Sequence, residues 1–110
     1  MVDIPRERWM SFMKKFSRRH LCHTATVKTT TAGSSVATQV RGLPLAGVAT
    51  TLDESGQPRI AIEVFNGTTT KVRQIIDGPA RIMFGRTRGT GDELVIKAAN
   101  STTRVRCSAA

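Results

Sequence analysis

The side chains best suited to chemistry gather first at His20, Cys22 and His23, within the stretch WMSFMKKFSRRHLCH of residues 9–23. Together with the distant Cys107 they would make a two-His, two-Cys set, the donor chemistry of a structural zinc site. The spacing argues against it. Three donors fall within four residues, too tight for each pair to fold back on one ion, and the fourth comes from the far end of the chain. Cys22 beside two imidazoles would also suit a thiol nucleophile, since nearby cations favour the thiolate. Nucleophilic catalysis further requires an oriented base and an oxyanion site, and no motif supplies them. The cluster reads instead as the exit of a helix into a first strand, with His20 near the last helical carbonyls.

No carboxylate pair stands out. Asp53-Glu54 and Asp92-Glu93 both fall in turn-like stretches, where acidic residues serve local geometry. Gly85-Arg86-Thr87-Arg88-Gly89-Thr90-Gly91 is basic and glycine-rich, so it invites a phosphate. It lacks the strand–loop–helix setting and the Lys-Ser/Thr of a nucleotide loop. No catalytic residue, metal or cofactor is therefore expected.

The stronger candidates are the basic residues carried on strands. Lys71 and Arg73 share one strand face by period-2 spacing, and so do Arg104 and Arg106. With Arg86 and Arg88 between them they would build a basic ridge for phosphates that reads no bases. Aromatic stacking partners are scarce on the strands, so such binding would be mostly electrostatic. The competing reading is a solvated charged face.

The chain has 110 residues and a net charge of +9. Residues 1–28 contribute +5, residues 29–70 contribute −1 and residues 71–110 contribute +5, so the ends are basic and the middle nearly neutral. That balance favours an anionic partner, nucleic acid or an acidic protein. Two cysteines do not form a disulfide framework. No apolar run reaches the length of a membrane span, and no secretory h-region opens the chain, so a cytoplasmic protein is expected.

These residues need elements to hold them. Pro5 suits a first helical turn, and Trp9, Phe12, Met13 and Phe16 recur at helical spacing, with Met10 widening the stripe. This predicts a helix over about 5–19. Beyond it the period changes to two, and a β-meander is expected over about 24–107. The clearest strand is Arg59–Phe65, followed by Asn66-Gly67, a strong hairpin signal. Gly42-Leu43-Pro44-Leu45-Ala46-Gly47 is expected to break the pattern, because proline cannot donate to a central ladder.

The stretches Ile4-Pro5-Arg6-Glu7-Arg8-Trp9, Phe16-Ser17-Arg18-Arg19-His20 and Leu43-Pro44-Leu45-Ala46-Gly47 resemble a family of small bacterial proteins classified as a domain of unknown function. The resemblance runs over roughly residues 3 to 106 and implies one compact domain; it carries no activity or site residues. The chain departs from it at Leu21-Cys22-His23 and in its basic charge.

The expected architecture is a single α+β domain spanning 1–110. Its N-terminal amphipathic helix packs on an antiparallel, strongly curved sheet or small β-barrel of about seven or eight short strands. The expected function is a non-catalytic binding or interaction module for an anionic partner such as nucleic acid. The alternatives are a structural or oligomeric accessory protein, a homo-oligomer included, and a small-ligand binder using a partly open barrel.

Overall fold

A computed structural model describes residues 1–31, 36–68, 70–87 and 91–108, without the side chains of 36–39 and Thr87. The alternating pattern folds into strands β1 (Val2–Asp3), β2 (Thr24–Thr31), β3 (Val36–Leu52), β4 (Pro58–Phe65), β5 (Lys71–Asp77), β6 (Arg81–Thr87), β7 (Gly91–Lys97) and β8 (Ser101–Cys107). All pair antiparallel in one sheet of order β1-β6-β7-β8-β2-β3-β4-β5. The sheet is curled but open, with β1 and β5 as its two edges, so the barrel alternative is replaced by an unclosed sheet.

The helix begins later than expected. A 3-10 turn over Arg6–Arg8 precedes helix α1 (Trp9–His20), and Pro5 sits before the turn with extended ψ rather than inside the helix. Trp9, Met13 and Phe16 are buried as the stripe predicts, and His20 continues it one turn further. Met10 does not widen the stripe: it is 55 % exposed, because at 100° per residue it has rotated off the buried face.

The expected break at residues 42–47 is instead the middle of a 17-residue strand. Two features let β3 run through. Gly42 takes a left-handed φ of +65° where β2 and β3 lose register, absorbing an extra residue as a bulge. Pro44 lies where β3 changes partners, pairing with Thr24 of β2 just before Leu45 begins the β4 ladder. The long strand thus belongs to both halves of the sheet and carries its bend.

Helix α1 lies against the concave face and joins the two halves. On one flank the Ser17 hydroxyl donates to the Val48 carbonyl (2.7 Å) and accepts from the Val48 N–H (2.8 Å). Beyond Leu45 the helix thus serves backbone groups that β2 no longer reaches, which would otherwise be costly to bury. On the other flank Phe12 and Phe16 meet Phe84 of β6 edge-on. The Trp9 indole N–H donates to the Ile4 carbonyl, tying the incoming chain to the helix. Between these contacts the concave side is filled by fully buried side chains, among them Met13, Leu45, Ile60, Ile82, Leu94 and Ile96.

Candidate functional site

Strand parity sorts the expected basic ridge onto three separate places. Residues Ile82, Phe84, Leu94, Ile96, Val105, Ala25 and Val27 pack into the core cluster and define the concave face of β6, β7, β8 and β2. Arg86 has the parity of Ile82 and Phe84, so it belongs to that face. Arg104 and Arg106 alternate with buried Thr103, Val105 and Cys107 and stand on the convex face. Lys71 and Arg73 lie on β5, separated from β8 by β2, β3 and β4 in the sheet. Arg88 lies outside the described residues. Among the described residues a single ridge does not form, because Arg86 falls on the face opposite Arg104 and Arg106, and Lys71 and Arg73 lie on a distant strand.

What does form is a convex-face cluster on β7, β8 and β2. Arg104 is paired across the ladder with Lys28, and Arg106 with Thr26 and Glu93. Arg104 Nη1 donates to Glu93 Oε1 at 2.7 Å, and Arg106 Nη2 to Glu93 Oε2 at 2.8 Å. Glu93 is buried beneath them, while both arginine side chains remain more than half exposed. Burial disfavours the Glu93 carboxylate, but the bonds from Arg106 and Arg104 outweigh it and hold the carboxyl below its ordinary range. Thr26, Lys28, Glu93, Arg104 and Arg106 line a recess of about 330 Å³. Its three cations face one carboxylate, and each guanidinium has five N–H donors, leaving most of them open to a second anion.

Sequence reasoning missed Lys28 and misplaced Glu93. Lys28 was available from parity, since it alternates with buried Ala25 and Val27. Glu93 and Asp92 are not turn residues: β7 begins at Gly91, and both carboxylates are buried within it. The alternation of Leu94 and Ile96 extends back to Asp92 and puts it on the concave face.

There Asp92 meets the helix terminus. His20 Nε2 donates to Asp92 Oδ2 at 2.7 Å, and His20 Nδ1 stands 3.0 Å from His23 Nδ1. The two facing Nδ1 atoms can share a hydrogen bond only with one donating and the other accepting. One proton at most lies between the facing nitrogens. The nitrogens are thereby occupied by each other and by a carboxylate. Among the described residues no group of three or more His, Cys, Asp or Glu is arranged to hold a metal ion. His20, in the last turn of α1 as expected, is thus also a buried tether between α1 and β7. Arg19 and Arg86 flank Asp92 at 3.7 and 3.8 Å.

The cysteines differ in environment. Cys107 is buried opposite Ala25 and Asp92, and Cys22 is exposed, so the two free thiols do not meet. Burial, reinforced by the Asp92 carboxylate, pushes the Cys107 thiol up to about 12. A disulfide-exchange reagent at pH 8 is expected to modify Cys22 alone in the folded protein and both thiols in denaturant. Rapid modification of Cys107 without unfolding would contradict this burial.

Comparison of the chain with family models, curated proteins and solved structures finds no match. No helix among the described residues is long and apolar enough to cross a membrane.

Proposed function

We propose that the protein is a small, non-catalytic cytoplasmic module that binds nucleic acid through the convex face of β2 and β8. The observation that carries this reading is the Lys28, Arg104 and Arg106 cluster, positioned by rigid strands and by Glu93 beneath the two guanidiniums. Fixed guanidiniums lose little freedom on meeting a phosphate, and their forked donors match its oxygens. The face offers no aromatic platform, so recognition is of the backbone rather than of bases.

The test is fluorescence anisotropy with a labelled mixed-sequence single strand at two or more salt concentrations. Three phosphate contacts give a slope of log K against log salt of about −2. Arg104→Ala/Arg106→Ala should weaken binding and flatten that slope. Absence of binding at low salt, or an Arg104→Ala/Arg106→Ala variant that binds as tightly as the parent with the same slope, would end this reading.

A further inference from the structure

The free edge at β5 is self-complementary, and we propose that it pairs with the β5 edge of a second copy of this chain to form a two-fold symmetric dimer. Among the described residues β5 ends the sheet, with β4 on one side only. Two ladders establish which of its backbone groups are free. The Asn66 N–H bonds to the Thr70 carbonyl at the hairpin, so the bonded pairs that follow are Val64 with Val72, Ile62 with Gln74 and Ile60 with Ile76. On the far side of β4 the Asp53 N–H bonds to the Gln57 carbonyl, which commits Arg59, Ala61 and Glu63 to β3. The two phases agree. Lys71, Arg73, Ile75 and Asp77 therefore point their N–H and C=O groups outward from the sheet.

An antiparallel copy must set outward groups against outward groups. The register centred on Gln74 does this over all seven residues of β5. It places Lys71 opposite Asp77, Arg73 opposite Ile75, Val72 opposite Ile76 and Gln74 opposite itself. Each Lys71–Asp77 pair occurs twice, once at each end, as an isologous interface requires. Neighbouring registers are poorer. Centring on Arg73 sets the two Arg73 side chains face to face, and centring on Ile75 leaves Lys71 and Val72 unpaired.

Three further observations favour this occupant. Val72 and Ile75 are 39 % and 43 % exposed, large apolar side chains on an edge. Lysine on an edge strand ordinarily discourages pairing, but here a second copy brings Asp77 to meet it. The Gln74 side chain donates from Nε2 to Thr29, while its Oε1 is buried without a hydrogen-bond partner. Gln74 on the two-fold axis faces another Gln74 at a non-hydrogen-bonded pair, where side chains come closest. Arg73 keeps its cross-strand partner Glu63, which moderates the diagonal approach of the two Arg73 side chains.

One strand pair of seven residues is a small contact, so association is expected to be weak. The test is light scattering on the full chain over a concentration series, with reductant present so that Cys22 cannot cross-link. The parent is expected to move from monomer to dimer. Ile75→Pro removes an outward N–H that has no ladder partner among the described residues, so it should stay folded and remain monomeric. Lys71→Asp sets Asp against Asp77 twice, and Asp77→Lys sets Lys against Lys71 twice. Each alone should dimerise about tenfold more weakly. An equimolar mixture of the two restores both pairs and should recover a heterodimer. A parent that stays monomeric up to about millimolar concentration, in the range expected to favour association, would overturn the proposal. So would an Ile75→Pro variant that is still dimeric, or a mixture no more associated than its components.

Discussion

Asp92→Ala is expected to destabilise the protein by about 1–3 kcal/mol, the cost of leaving a buried hydrogen-bond donor without its acceptor. Asp92 is 5 % exposed and accepts from His20 at 2.7 Å. Its removal leaves the His20 Nε2–H buried without an acceptor and releases Arg19 and Arg86 from their shared carboxylate. It also unties the last turn of α1 from β7. His20→Ala should cost less, because Asp92 retains two guanidiniums. Asp92→Asn should fall between, since the amide oxygen still accepts from His20 but carries no charge. Urea unfolding of the three variants checks the order. A loss below about 1 kcal/mol for Asp92→Ala would show the network to be only a surface pairing, for which such small values are usual.

Met13→Ala is expected to cost about 2–5 kcal/mol, and Met10→Ala less than about 0.5 kcal/mol. Both are methionines on the same helix, three residues apart. Met13 is fully buried in the cluster that includes Trp9 and Phe16, whereas Met10 is largely exposed. Truncating Met13 removes buried methylenes and leaves a cavity between helix and sheet that neighbouring strands cannot easily collapse. Thermal or urea unfolding of the pair measures the difference. Equal losses would mean that the helix packs by a different face.

Much of the fold is legible in the chain because burial follows periodicity. Trp9, Met13 and Phe16 at helical spacing mark a stripe that must be covered. Arg59–Phe65, with Ile60, Ile62 and Val64 on one side, is recovered as β4. Asn66-Gly67 closes the expected hairpin, with Gly67 at a φ of +95°. Less was legible where one residue had to satisfy two neighbours at once. Pro44 suggested a break, but its missing N–H costs little at the point where β3 passes from β2 to β4. Asp92 looked like a turn residue, since a carboxylate is normally kept from the core unless paired. Its partner His20 lies 72 positions away in sequence.

The candidate binding face was legible only in part. Arg104 and Arg106 were correctly placed together on one side of a strand by parity. Parity could not say which strands would be neighbours. The order β6-β7-β8-β2 brings Lys28 beside Arg104 and sends Lys71 and Arg73 to the opposite edge. Arg86 was near Arg104 in the expected ridge, yet the sheet lies between their faces.

By itself, then, the sequence determined one amphipathic helix, a set of antiparallel strands and the side of each strand that faces the core. Those properties follow from local periodicity and turn chemistry, which act over a few residues. Tertiary structure alone decided that the sheet stays open, that β3 bends through Gly42 rather than stopping, and that His20 finds Asp92. It also decided which positive charges stand together. These outcomes depend on strand order and on contacts between distant segments, where the energy of a pairing is felt only once the chain has brought both partners to the same place.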